Sequence, residues 1–563
     1  KHCVEASCNL LLFSSQHFGC PGSIVAKHLA KAGSMGANAS CCEKASETQT
    51  HRVIGCPVPD VEMVEAIPEE KDHEDKIFTP SEPCTQPSPA ASWNMLLRRS
   101  LSFLEVDTEI ARGVSLSSTL RGMGRLWMVS PLDMEEEERK QLYNISSPVK
   151  SYDVFLSHTW RNKGRWKVCS LLMQSGWLIF GLVWFLAVAT AMLLCMSGVL
   201  PMPLTRTADT MGFDAECPFG PWVFIANLLA FVVTPIVFPY LPESLFPTCF
   251  LDVACISQVD EDLKTRGVYG LGGFLSVAKE LRILWGPSYL SRLWCVFELA
   301  AYRKSNPDGK IRLSPLFVER QVFLLILGSN VVSLLLWLST GFNIPFGSAA
   351  SIVVLSPIFF VLHANRRNMA EKEQLLSDLE QFDLNNVDCR LESDRKLVLA
   401  TIRDWYGSEQ AFMEEVRGPL RKELLNSSSN SLPLSYGLLI VAAPLSVALE
   451  DIVAYVMAGA PLESLLGELC STFSLGSAFI LISFQLAWWL CDIASATRSS
   501  KLVDYAVTTL ICFGWFAFSI LGFIIDRFTS KSNLWGGIAW VCMNFLLLCY
   551  GSGFLCRRQR STS

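Results

Sequence analysis

Charged residues are scarce in this sequence. They make up 18% of its 563 residues, whereas about 25% is usual in a soluble domain. Hydrophobic residues account for 50%, and the mean hydropathy is +0.33. The net charge of −6 also leaves the chain without the basic surplus that nucleic-acid-binding domains carry. The composition therefore predicts an integral membrane protein and gives no indication of nucleic acid as a partner.

Cysteine spacing typical of metal sites is absent as well. The chain has 20 cysteines, but it contains no CxxC pair, the spacing common in zinc sites. Several of the cysteines lie inside apolar stretches. We therefore expect reduced thiols that face the cytosol or the lipid, and no metal site.

Methionine is missing from the beginning of the chain until Met35, which opens the sequence MGANASCC. Gly36 and Ser40 then fit the pattern for N-myristoylation. Cys41 and Cys42 could take palmitate, and a second lipid makes such an anchor stable. This lipidation is a hypothesis, because so short a pattern also arises by chance. On the same interpretation, the first 34 residues are upstream translation and do not belong to the fold.

Long apolar stretches are abundant. Eight of them approach or exceed the roughly 20 residues that cross a hydrocarbon core of about 30 Å. Lys and Arg cluster in the loops on one side of the resulting topology, and this side is expected to be cytosolic. Both termini are then predicted to lie in the cytosol. The predicted spans are 177–199, 221–241, 321–341, 346–363, 435–457, 473–495, 503–525 and 535–556.

Hydrophilic pieces remain between these spans, and none is long enough to be a domain alone. Together they hold about 180 residues, which is enough for one domain. The predicted division of the chain is 1–34 upstream translation, 35–144 a mostly disordered cytosolic region, 145–176 the first piece, 177–241 a membrane hairpin, 242–320 the second piece, 321–363 a second membrane hairpin, 364–434 the third piece, 435–556 spans five to eight, and 557–563 a cytosolic tail.

Strand-like and helix-like patterns alternate within the hydrophilic pieces, which predicts βαβ units and a doubly wound parallel sheet. Helices are predicted at Gly267–Leu281 and Arg292–Lys304. The predicted strands are Tyr152–Ser157, Thr248–Val253, Arg282–Gly286, Lys310–Val318 and, in the third piece, Asn385–Glu392.

Several of these motifs resemble TIR (Toll/interleukin-1 receptor) domains. YDVFLSH (Tyr152–His158) is similar to their opening strand. FLDV (Phe250–Val253) and LKTRGVYGLGGFLSVAKEL (Leu263–Leu281) are similar to their second strand, BB loop and following helix. ILWGPSYLSRLWCVFELA (Ile283–Ala300) contains the YxSxxWCxxEL pattern of plant-type members. The resemblance covers about a third of the chain, only in its hydrophilic pieces. It implies a flavodoxin-like α/β parallel sheet in the cytosol, combined with an all-α transmembrane bundle of about eight spans.

The chain departs from the family in ways that matter for this interpretation. One predicted membrane hairpin separates the first helix from the second strand, and another follows the fourth strand. We therefore expect a TIR-like domain that is threaded by two membrane hairpins, each leaving and returning on one side. The segment ACISQVDED (Ala254–Asp262) also lengthens the region of the BB loop.

Many TIR domains hydrolyse NAD with one glutamate, and the resemblance assigns this role to Glu298. Breaking the nicotinamide–ribose bond develops positive charge on the ribose, which a neighbouring carboxylate stabilises. The implied activity is an NAD⁺ nucleosidase, with NAD as the substrate and no metal. Ligands of open α/β sheets bind beyond the carboxyl ends of the strands. The substrate-binding residues predicted there are Ser157, His158, Asp252, Trp285 and Trp294.

Two other classes of function remain open. TIR domains also associate with one another, so the protein could be a non-catalytic scaffold that assembles signalling partners at a membrane. Alternatively it could be a transporter or channel, because polar residues fall within predicted spans. Such residues are functional candidates by default, although two of them lie near a helix end. They are Glu450, Asp451, Gln485 and Asp504.

Overall fold

A computed structural model describes residues 104–342, 348–427, 433–496 and 500–562. Its strands are β1 (Arg112–Ser115), β2 (Ser147–Pro148), β3 (Val154–Ser157), β4 (Leu204–Thr210), β5 (Phe213–Phe219), β6 (Thr248–Phe250), β7 (Glu280–Trp285) and β8 (Lys310–Pro315). Its α-helices are Leu116–Met128, Glu136–Asn144, Gly164–Met196, Trp222–Val237, Asp252–Cys255, Glu261–Tyr269, Leu271–Ser276, Leu293–Ser305, Leu316–Gly341, Ser348–Glu380, Glu392–Tyr406, Glu409–Glu415, Arg421–Ser427, Gly437–Met457, Leu462–Phe473, Ile480–Ile493, Lys501–Phe528 and Leu534–Thr562.

Four parallel strands form the centre of the main sheet, in the order β6, β3, β7, β8. In the register of β3, Phe155 pairs with Phe250 on one side and Leu156 pairs with Arg282 on the other. Every residue of β3 is buried, as is usual for parallel strands covered on both faces. The prediction that these four segments share one parallel sheet is confirmed. Their order along the chain is second, first, third, fourth, as in the first four strands of a flavodoxin-like sheet.

Two antiparallel strands extend the sheet beyond β6. β1 pairs with β6 and with β2, so the sheet is mixed. Both strands belong to sequence before residue 150, most of which the sequence patterns place in an unstructured region. Apolar side chains of this segment, including Val114, Leu120 and Trp127, are buried in the same core as β3. Strands of two to four residues carry too little periodicity to be recognised in a sequence.

The third hydrophilic piece contributes helices to the domain. The strand predicted at Asn385–Glu392 is wrong, because this segment holds only a short helical turn and an isolated bridge between Arg292 and Asp388. The backbone of Asp388 bonds instead to the turn before helix Leu293–Ser305: its N–H donates to the Ser291 carbonyl at 2.7 Å, and its carbonyl accepts from Leu293 at 3.1 Å. These hydrogen bonds connect the third hydrophilic piece to the second.

The helix predicted at Gly267–Leu281 is also interrupted. The structure has two shorter helices, Glu261–Tyr269 and Leu271–Ser276, and β7 begins at Glu280. Gly270 ends the first helix by donating its N–H to the Arg266 carbonyl at 2.8 Å. The predicted helix Arg292–Lys304 is confirmed within one residue at each end.

About six helices, rather than the predicted eight, are long and apolar enough to cross a membrane among the described residues. They are Gly164–Met196, Trp222–Tyr240, Leu316–Gly341, Leu434–Met457, Leu462–Ile493 and Lys501–Phe528. The predicted span 535–556 is not among them: within helix Leu534–Thr562, the shorter apolar stretch Leu534–Tyr550 is about 26 Å long at 1.5 Å per residue. The predicted span 346–363 overlaps helix Ser348–Glu380, which continues into charged sequence, and its first two residues lie outside the described residues. The six helices fit a multi-pass membrane protein.

The chain returns to the sheet after helix Leu316–Gly341. Helix Ser348–Glu380 packs along it, and the residues that follow contact the sheet domain again. There Arg303 forms an ion pair with Glu423 at 2.5 Å, and the Tyr406 hydroxyl donates to the Ala300 carbonyl at 2.9 Å. The three hydrophilic pieces therefore fold together, although long apolar helices separate them in the sequence.

A β-hairpin formed by β4 and β5 connects the first two apolar helices. Arg206 on β4 forms an ion pair with Asp451 on helix Gly437–Met457. The N–H of Met211, at the turn, donates to the Lys531 carbonyl at 2.9 Å. The hairpin therefore fastens the first helix pair to the C-terminal helices.

Candidate functional site

Glu298 lies on helix Leu293–Ser305, which follows β7. Its carboxyl oxygen Oε2 accepts a hydrogen bond from the hydroxyl of Ser157, the last residue of β3. The Ser157 hydroxyl also bonds to the Tyr289 hydroxyl at 2.6 Å. Ser157 is completely buried, whereas Glu298 is partly buried. The glutamate therefore meets the carboxyl end of a central parallel strand, where open α/β sheets hold their ligands.

Burial controls the charge of Glu298. Removal from water raises the pKa of its carboxyl to about 8, and the negative charge of Asp252 acts in the same direction. The hydrogen bond from Ser157 opposes this rise, because it stabilises the carboxylate. At neutral pH the free protein therefore holds Glu298 mainly as the uncharged acid. Carboxyl groups with such a shift, placed in a ligand-binding position, are candidates for chemistry.

Asp252 follows β6 and stands near Glu298. One of its carboxylate oxygens accepts a hydrogen bond from the Trp160 indole at 3.0 Å, and the other accepts from the Val253 N–H at 2.7 Å. Burial raises the pKa of the Asp252 carboxyl, while these two bonds and the charge of Lys167 lower it. Asp252 therefore holds the Trp160 ring in place.

His158 follows Ser157 and is buried among aromatic rings. Its ring centroid lies 5.2 Å from Trp127 and 4.8 Å from Trp160, both in edge-on geometry. Burial, with the nearby charge of Lys167, holds the pKa of His158 well below its usual range, so the imidazole is neutral. The Cys295 thiol donates to the His158 carbonyl at 3.4 Å, which links the end of β3 to the helix that carries Glu298.

The sequence patterns did not identify Lys167, although the structure places it in this group. It is completely buried, and its ammonium lies 4.8 Å from the centre of the Trp160 ring. The residue occupies the second turn of helix Gly164–Met196. Its position directly before Val168, four residues before buried Leu171, is the available signal: a lysine on the apolar face of a helix is unusual.

The two remaining predicted substrate residues have contacts elsewhere. Trp285 is buried at the end of β7, and its ring meets Phe317 edge-on at 6.3 Å. Trp294 packs edge-on against Phe297 at 5.5 Å and hydrogen-bonds to Asp394. The structure therefore places Ser157 and Asp252 near Glu298, and His158 beside Ser157 at the end of β3. The two tryptophans contact the core and the third hydrophilic piece.

Other predicted sites lie outside this group. Gly36, Cys41 and Cys42, the proposed lipidation residues, fall outside the described residues. Within the described ranges, no cluster of three or more His, Cys, Asp or Glu side chains could hold a metal ion.

Comparison with known proteins gives no relative: no family model matches the chain, and no curated protein or solved structure is significantly similar to it. The resemblance to TIR domains therefore stays a hypothesis carried by its own motifs.

Proposed function

We propose that the protein is a membrane-embedded NAD⁺ nucleosidase with a TIR-like domain, in which Glu298 stabilises the transition state. The observation that carries this proposal is the hydrogen bond between Glu298 and Ser157 at the carboxyl end of β3. The motif resemblance and the β6, β3, β7, β8 strand order support the same fold. The six apolar helices support a membrane location, with the domain held close to the lipid and able to assemble with other copies.

Cleavage of the nicotinamide–ribose bond requires a charged carboxylate beside the ribose. As the bond from ribose C1′ to the nicotinamide nitrogen breaks, its electron pair leaves with nicotinamide and positive charge develops on the ribose. Glu298 as a carboxylate stabilises that charge, and a water molecule then attacks C1′ and releases a proton. The positive charge on bound NAD⁺ lowers the pKa of the Glu298 carboxyl, so that substrate binding itself favours the ionised form. Ser157 orients the group.

Measurement of nicotinamide release tests this proposal. The full-length protein, reconstituted in liposomes, is mixed with NAD⁺, and free nicotinamide is followed by chromatography. Glu298→Gln should reduce turnover about 100- to 1000-fold, the usual effect of removing one preorganised electrostatic group. Glutamine resembles the protonated acid that the free protein holds, so the variant should fold normally. Glu423→Gln, which removes an acid of the same domain paired with Arg303, is the matched control and should keep full activity.

The alternatives give different results in the same assay. Wild-type turnover by a folded Glu298→Gln protein would contradict the catalytic role. If clustered wild-type protein releases no nicotinamide but still associates through its sheet domain, the protein is a scaffold. Transport receives little support, because the intramembrane acids have partners within the fold: Asp451 pairs with Arg206, and Glu450 accepts from the Trp337 indole at 2.5 Å and the Phe224 N–H at 2.9 Å.

A further inference from the structure

A second feature of the site is a group of buried nitrogens contributed by three side chains, which we call the nitrogen cluster: Trp127, His158 and Lys167. The exposed fractions of these residues are 2%, 8% and 0%. The Lys167 ammonium lies 5.8 Å from the centre of the Trp127 ring, and this ring lies 5.2 Å from the His158 ring. Trp160 packs against all three.

The nitrogen cluster lacks hydrogen-bond partners. Trp127 Nε1, His158 Nε2 and Lys167 Nζ are all inaccessible to solvent, and none of them has a hydrogen-bond partner among the described residues. Each buried polar group left in this state costs free energy. The Trp160 ring offsets part of the cost for the ammonium through a cation–π contact, but it accepts nothing from the Trp127 N–H. The site therefore holds a lysine amine and an indole N–H, two donors without an acceptor.

An irregular segment precedes Trp127, the member of the nitrogen cluster that lies on helix Leu116–Met128. Helix Leu116–Met128, which carries Trp127, loses helical geometry at four consecutive residues, Arg121 to Gly124. Three of these residues have positive φ, among them Met123 at 59°, a conformation that side chains other than glycine rarely adopt. Backbone strain of this kind is characteristic of functional sites and switch segments. A turn about this hinge would lift Trp127 from Lys167.

We propose that the nitrogen cluster binds a phosphate-type oxyanion, with Lys167 and Trp127 as donors and the Trp127 segment as a lid that opens at Arg121–Gly124. An oxyanion supplies the acceptors that the lysine and the indole lack, and a buried lysine binds it as a point charge. The His158 ring donates to the Leu156 backbone, so its Nε2 is an acceptor and does not bind the anion.

The source of the anion follows from the neighbours of the nitrogen cluster. Lys167 lies close enough to Asp252 for their charges to interact, and Asp252 in turn acts on Glu298. We assign the anion to the diphosphate of NAD, a step that rests on the proposed function. The same chemistry could come from a lipid headgroup, because the helix of Lys167 continues into an apolar span.

Binding of inorganic pyrophosphate tests the site without any turnover. The full-length protein is reconstituted in galactolipid bilayers, which lack phosphate, and titrated with pyrophosphate or ADP in a calorimeter. Lys167→Met should weaken both at least tenfold. Lys163→Met is the matched control, because Lys163 is exposed and lies four residues earlier, and its affinity should stay at the wild-type value. Unchanged affinity in a folded Lys167→Met protein would overturn the proposal.

A measurement on the wild-type protein covers the case in which Lys167→Met does not fold. An amine-reactive reagent should modify Lys167 slowly as the lid opens, and pyrophosphate should slow this reaction, as read by mass spectrometry. Absence of protection would overturn the site. Protection only by phosphatidic acid added to the bilayer would keep the oxyanion site and reject the diphosphate. Pyrophosphate protection without nicotinamide release would keep the site and reject the nucleosidase.

Discussion

At the scale of the residue, the protonation of Glu298 decides what the site can do at a given pH. The carboxyl pKa of about 8 lies above the usual value for glutamate, so the folded protein holds this proton more tightly than the unfolded chain. The stability that the neutral acid provides is complete below the unfolded pKa and is lost as the pH rises through about 8. Activity that requires the carboxylate changes in the opposite direction.

The pH profile of nicotinamide release should show this directly. We expect kcat/KM, which reports the free protein, to rise about tenfold between pH 7 and pH 9 with a midpoint near 8. Ser157→Ala removes the bond that lowers the Glu298 pKa, so its midpoint should move to higher pH. The measurement is kcat/KM across pH in liposomes. A midpoint that falls in Ser157→Ala would contradict the assigned direction.

At the scale of the element, the hairpin of β4 and β5 shows how one short connection can hold the helical part together. Its ion pair between Arg206 on β4 and Asp451 joins the hairpin to helix Gly437–Met457, which is distant in sequence. Removing one partner of such a pair leaves the other charge poorly solvated, and for a fully buried pair this costs about 3–5 kcal/mol. Arg206 keeps 33% of its side chain exposed, which reduces the penalty.

Thermal unfolding of two variants in detergent tests this role. Arg206→Ala should lower the Tm, with a loss of about 2 kcal/mol in unfolding free energy. The double variant Arg206→Ala with Asp451→Ala should recover most of the loss, because no unpaired charge remains. A double variant as unstable as the single one would show that the hairpin acts through packing rather than through this ion pair.

At the scale of the whole molecule, the return of the chain to one sheet domain leads us to expect which loops share a side of the membrane. The connection after the first apolar helix and the helices after Ser348–Glu380 should face opposite sides of the membrane. Gly198 and Gly407 offer matched positions for a test, since both are turn glycines at positive φ with open space around them.

A glycosylation acceptor inserted at either glycine reports the side. When the protein is synthesised with endoplasmic-reticulum microsomes, the acceptor at Gly198 should be modified and the acceptor at Gly407 should not. The increase in mass on a gel is the readout. Glycosylation at Gly407 alone would reverse the predicted orientation, and modification at both would contradict the shared domain.

Some parts of this structure can be predicted from the sequence and others cannot. The parallel strands were predictable, because a segment such as Tyr152–Ser157 is apolar and ends in polar residues. Glu298 and Ser157 could be brought together from motif order. Lys167 could not, since nothing local shows that it lies under Trp127, and strands as short as β2 give no periodic signal. The predicted span 346–363 overlaps the apolar end of the longer helix Ser348–Glu380, and hydropathy alone cannot separate such an end from a span.

Helix Gly164–Met196 connects the candidate site, through Lys167, to an apolar stretch long enough to cross a membrane. At 33 residues it is about 50 Å long, well beyond the 30 Å of a hydrocarbon core, and it is a single element from Lys167 to its far end. Bilayer thickness influences the tilt of such helices. A tilt of about 10° around the lipid surface moves a projecting arm of about 20 Å by roughly 3 Å at its tip. A change in lipid composition that alters the bilayer thickness would then shift the position of Lys167.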